Sequence, residues 1–88
     1  MKTTYDVYED PGHGWVKVHR KELIDLGIAD QISPYSYQRG EFVYLEEDRD
    51  ASIFAAAKQK QKPGIKLKYR EYHTDRQSKI RGYAPYQP

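Results

Sequence analysis

The chain has 88 residues, no cysteine, one tryptophan, nine tyrosines and a formal charge of +2, with 32% of its residues charged. That length supports one domain with a single modest core, and the lack of thiols excludes cysteine nucleophiles, cysteine-ligated zinc and a disulfide framework. The near-neutral total hides a strong polarity: residues 1–57 carry six Lys/Arg against eleven Asp/Glu, whereas residues 58–88 carry nine against two, balances of −5 and +7.

In chain order, Tyr5-Asp6-Val7-Tyr8-Glu9 alternates apolar and polar residues, the pattern of a half-buried strand. Asp10-Pro11-Gly12-His13-Gly14 is turn chemistry, and Trp15-Val16-Lys17-Val18 supplies the returning strand, so residues 4–18 are predicted to form a hairpin. Arg20–Ile28 reads as a short helix, with Gly27 placed for a left-handed stop and Ile28 folding back onto Leu23. Tyr35-Ser36-Tyr37 and Glu41–Glu46 are two further predicted strands, turning at Gln38-Arg39-Gly40. Asp48 or Asp50 is expected to cap a second helix, whose apolar stripe is Ile53, Phe54 and Ala57 and which Pro63-Gly64 ends. Ile65, Leu67 and Tyr69 alternate with Lys66, Lys68 and Arg70 in a last strand with one greasy and one basic face.

The order ββαββαβ predicts an α+β fold, a small mainly antiparallel sheet with two short helices on one face. Residues 1–74 form the expected domain, and 75–88 a polar C-terminal tail whose order the sequence leaves open. No N-terminal apolar run is long enough for a signal peptide or a membrane span, and a small disulfide-free chain suits a reducing compartment, so a cytoplasmic protein without membrane contact is expected.

Three features have the residue types for chemistry or binding. The Pro11–Gly14 turn could offer backbone amides to an anion, but phosphate loops open helices and this one joins two strands, so a hairpin turn with an exposed His13 is favoured. The run Glu46–Asp50 could hold a divalent cation, but consecutive carboxylates at a strand-to-helix junction fit capping better. No metal site, cofactor or catalytic set is therefore expected. The third feature is the basic C-terminal third, where Tyr69, Tyr72, Tyr83 and Tyr86 interleave with the positive charge. Lys66, Lys68, Arg70 and Tyr72 share one strand face, and the tail adds Arg76, Lys79 and Arg81. Such a surface can follow a phosphate backbone and stack bases. It can equally pair with the acidic Glu46, Glu47 and Asp48 of its own sheet. Tyr35 and Tyr37 form a second candidate contact patch, because tyrosine joins apolar area to a polar tip.

The strings Asp10–Val18, Leu26–Asp30, Ile32-Ser33, Tyr35–Tyr37 and Tyr44–Asp48 resemble a group of small proteins of bacteriophages, prophages and plasmids, over roughly residues 5–60. The group has no assigned activity, and cysteine often stands there where this chain has Arg49, so that position is no thiol site here. The resemblance implies a mobile-element protein in the cytoplasm of a bacterial host. It further implies a non-enzymatic, anti-CRISPR-like inhibitor of a host defence system that occludes a protein or ribonucleoprotein partner. The alternatives are a single-stranded nucleic-acid-binding protein and a nucleotide-sequestering homodimer. The residues expected to carry contact are Lys66, Lys68, Arg70, Tyr72, Arg76, Lys79, Arg81, Tyr35 and Tyr37.

Overall fold

A computed structural model describes residues 2–88. Strands β1 (Thr4–Glu9) and β2 (Gly14–His19) form the predicted hairpin, closed by Glu9 opposite Gly14. Helix α1 (Arg20–Asp25) follows directly, and strands β3 (Tyr37–Arg39) and β4 (Phe42–Glu46) turn through Gly40-Glu41. Helix α2 (Asp50–Gln61) leads to β5 (Lys68–His73), and the two-residue β6 (Ala84–Pro85) ends the sheet. The strand order is β5-β1-β2-β4-β3-β6. The fold is the expected α+β, and the sheet is mostly antiparallel, with β5 running parallel to β1.

Strand alternation divides the sheet into two faces. Tyr5, Val16, Val18, Val43 and Leu45 point to the helix side and pack with Leu23, Ile28 and Phe54. The Tyr5 and Phe54 rings meet edge-on at 5.0 Å, which locks α2 against β1. Each such buried side chain contributes roughly 1.5–3 kcal/mol by leaving water. Helix α1 ends as predicted. Gly27 takes φ +73°, its N–H donates to the Ile24 carbonyl, and the Ile28 N–H donates to Leu23, placing both side chains in the core.

The predicted cap of α2 needs correction. Neither Asp48 nor Asp50 caps it; the Glu46 carboxylate does, accepting from the amides of Asp48 (2.8 Å), Arg49 (2.7 Å) and Asp50 (2.7 Å). Asp50 turns inward instead, fully buried, and accepts from Ser33 N–H and from the hydroxyls of Ser33 and Ser36. Lys58, two turns further along α2, is also buried, with its Nζ 3.5 Å from Glu22 and donating to the Lys2 carbonyl. The Tyr5 hydroxyl donates to the same Glu22 carboxylate, and burial together with that carboxylate pushes the phenol pKa upward. The buried stripe of α2 is thus Asp50, Phe54 and Lys58, with Ile53 and Ala57 at its margin. Four-residue spacing stacks these three on one side of the helix.

The last strand differs from expectation as well. Ile65 is buried and Leu67 packs against the core, but the strand begins only at Lys68 and both of its faces are exposed. It lies at the sheet edge, so water reaches what a central strand would cover. The Tyr35–Tyr37 strand is shorter than expected: Tyr35 sits in a turn, and pairing starts at Tyr37.

Residues 75–88 run from one sheet edge to the other. The Ser78 N–H donates to Asp10, the Ser78 hydroxyl caps a 3₁₀ turn over Lys79–Gly82, and Ile80 is buried against Trp15 and Tyr44. After β6 the Tyr86 N–H donates to Ser36, and its ring enters the helix-side core with the hydroxyl on the Ala29 carbonyl. Arg20 closes this end through the Gln87 carbonyl and the Gln38 side chain. Among the described residues no helix is long and apolar enough to cross a membrane.

Candidate functional site

The face of the sheet away from the helices is aromatic. Register places Tyr72 beside Tyr8, and the two rings stack at 5.3 Å with 20° between planes. Tyr8 lies 6.3 Å from Tyr44, and Tyr44 lies 5.2 Å from Tyr83, so four tyrosines form a file across the sheet. Arg39 lies over the Tyr83 ring at 5.1 Å and Lys17 over Phe42 at 4.2 Å, bordering the file with positive charge. Burial raises the phenol pKa of both Tyr8 and Tyr44, which stay neutral and can act as hydrogen-bond donors.

The expected contact residues fall into three places. Lys68, Arg70 and Tyr72 share the outward face of β5, in register with Thr4, Asp6 and Tyr8, and Lys66 precedes the strand. Arg76 and Lys79 are exposed on the crossing segment. Tyr35, Tyr37 and Arg81 meet at a separate cleft of about 420 Å³ at the far end of the sheet. Trp15 contributes to that cleft, with Tyr37 edge-on to it at 6.1 Å and the Arg81 guanidinium 5.5 Å from its ring centre. His13, Asp48 and Arg49 stand at its margin.

The internal pairing of charge takes a different route from the one expected. Glu46, Glu47 and Asp48 receive no cation from β5. Arg70 pairs with Asp6 at 2.9 Å, Arg81 with Asp10 at 2.6 Å, and Lys58 with Glu22. The reason is topological: β5 adds beside β1, whose acids lie on the near strand, and not beside β4. Lys60, Lys62, Lys66, Lys68, Arg76 and Lys79 make no ion pair among the described residues.

Asp10 organises the first turn. Its Oδ1 accepts from the amides of Gly12 (3.0 Å) and His13 (2.9 Å), so those groups are already satisfied by a carboxylate of the chain itself. Arg81 grips both carboxylate oxygens, at 2.6 and 2.9 Å, and approaches so near to Gly12 that a Cβ there would lie 2.9 Å from the guanidinium. Arg81, followed by the Ser78 amide and those of the turn, holds the Asp10 carboxyl well below the usual carboxylate range. At the other junction burial works to raise the Glu46 carboxyl, but the three amides and Arg49 outweigh it and bring it below its ordinary value. Among the described residues no three His, Asp or Glu side chains gather as a metal site.

Tyr8, Tyr44, Lys17 and Arg39 were not singled out by sequence, whereas Tyr83 was noted among the tyrosines of the basic third. The available signal was the occurrence of apolar residues at both parities of β1 and β4, as in Phe42-Val43-Tyr44-Leu45, which marks strands with both faces in use. Comparison with protein-family models, with curated proteins and with solved structures returned no match.

Proposed function

We propose that this protein is a non-enzymatic binding protein whose ligand is a single-stranded nucleic acid, held along β5 and across the tyrosine file. The observation that carries this reading is the file Tyr72–Tyr8–Tyr44–Tyr83 beside cations that lack acid partners, Lys66, Lys68, Arg76 and Lys79. Tyr44 is buried and links the file, while Tyr72 is exposed and Tyr8 and Tyr83 are half-buried. Rings left open on a sheet stack bases at about 1–3 kcal/mol each without regard to sequence, and the cations neutralise phosphates. Tyr72 is 48% exposed and supplies the first free ring face. Fluorescence anisotropy with a labelled oligothymidylate tests it. Binding should weaken with salt, with a slope of about −0.7 per phosphate contacted, and the double variant Lys66→Glu/Lys68→Glu should abolish it while melting as the parent does. No binding even at low salt would overturn this reading.

A second reading has its own observation. Tyr35 is 81% exposed and Tyr69 43%, and exposed tyrosine is an interface residue. An anti-CRISPR-like inhibitor from a mobile element would use these side chains to occlude a host complex. It would capture one defined complex and ignore naked oligonucleotides.

A further inference from the structure

The cleft at the far end of the sheet has a composition different from that of the tyrosine file, and its polar groups divide into committed and free ones. Arg81 is committed to Asp10, Glu46 to the amides of α2, and the Ser33 hydroxyl to Asp50. The Asp48 side chain and the His13 ring make no hydrogen bond among the described residues, and both are exposed at the rim. Arg49 uses one terminal nitrogen, on Gln31 and Asp50, which leaves its other N–H groups. The cleft thus joins the side chains of Tyr35 and Tyr37 to a free carboxylate and a guanidinium donor on adjacent residues. Its volume of about 420 Å³ lies within the range of small-molecule pockets, about 300–1,000 Å³.

We propose that this cleft is a pocket for a single nucleobase, and that its hydrogen-bonding groups select guanine. The proposal deepens the nucleic-acid reading and rests on it for the source of the base. Guanine is the base that offers two adjacent donors, N1–H and the N2 amino group, beside the O6 acceptor. A carboxylate can accept from both donors at once, as Asp48 is free to do, and Arg49 can donate to O6. Adenine, cytosine and thymine each offer Asp48 at most one donor on that edge. Tyr35 and Tyr37 supply ring faces, and Tyr35, being the more exposed, is the side that closes over the base. A strand lying on the tyrosine file would place one splayed base here, giving base preference to a surface that otherwise takes any sequence.

The test uses the fluorescence of Trp15, the single tryptophan of the chain, during titration with the four nucleoside 5′-monophosphates. Guanosine monophosphate should bind more tightly than the others by about tenfold or more, the scale of one bidentate base contact. Asp48→Asn, which turns one acceptor oxygen into a donor, should remove that preference, and Tyr35→Ala should weaken all four. Equal response to the four nucleotides, no response, or a preference that survives Asp48→Asn would each overturn the pocket. Oligothymidylate in the same titration separates the two ideas. If it binds while guanine has no advantage, the pocket fails and the sheet-face reading stands. If guanosine monophosphate binds selectively and no oligonucleotide binds, the pocket stands and the strand reading fails.

Discussion

The two faces of this sheet bury their side chains by different means. On the helix side Val16, Val18, Val43, Leu45 and Leu23 interdigitate with Tyr5 and Phe54 under two helices, and polar groups enter only with partners, as in Asp50 with its serines and Lys58 with Glu22. On the other side Trp15, Tyr44 and Ile80 form a thin second cluster, roofed by residues 78–83 alone and edged by half-exposed tyrosines. Aliphatic side chains need full cover to contribute their transfer energy, whereas tyrosine can be half wetted because its hydroxyl keeps a hydrogen bond to water. The first face supplies stability, and the second combines some stability with surface left open for contact.

The comparison breaks most sharply at Phe54. Phe54→Ala should cost about 3–5 kcal/mol, because the void beneath α2 faces Tyr5 and cannot refill. Chemical denaturation would measure it, and a loss under about 1 kcal/mol would show that the helix side is not the stabilising face. Arg81→Ala comes next, since it leaves the Asp10 carboxylate buried without its cation and frees the crossing segment. Its effect should depend on pH. The Asp10 carboxyl is depressed in the folded state, so its contribution is present above the unfolded carboxyl pKa and fades as pH falls below about 4. Thermal melts between about pH 5 and pH 3 should therefore show a smaller acid-induced drop for Arg81→Ala than for the parent chain.

Lys58 separates packing from charge. Lys58→Met keeps the stem against Tyr5 and Phe54 and should stay within about 1.5 kcal/mol of the parent. Lys58→Ala should lose about 2–3 kcal/mol, and equal losses in the two variants would assign the whole effect to the charge. The smallest change in stability belongs to the open face. Tyr72→Ala should cost at most about 1 kcal/mol of folding while lowering oligonucleotide affinity by about 1–3 kcal/mol. A variant that loses stability and leaves affinity untouched would place Tyr72 on the structural side of the comparison.

Much of this architecture could be read along the chain because it depends on local chemistry. The hairpin over 4–18 follows from alternation around a Pro-Gly turn, and the end of α1 follows from Gly27 with Leu23 and Ile28 at the right spacing. The basic strand was found, and so was its outward row of Lys68, Arg70 and Tyr72. The cap of α2 was misplaced because aspartate is the commoner cap, and nothing local shows that Asp50 is needed by Ser33 and Ser36 seventeen and fourteen positions earlier.

The sequence by itself determined the main elements as far as β5, their order and the opposite charge of the two halves, since these depend on residues within a turn or two of one another. The 3₁₀ turn and β6, by contrast, lay in what read as a polar tail. Tertiary structure decided which strand neighbours which, and every longer-range consequence came with that choice. By setting β5 beside β1 it turned Arg70 toward Asp6 and completed a stack with Tyr8. By bringing residue 81 to residue 10 it converted a polar tail into the roof of the second face. Contacts across sixty or seventy residues are set by how sheets and helices exclude water together, and no local pattern encodes them.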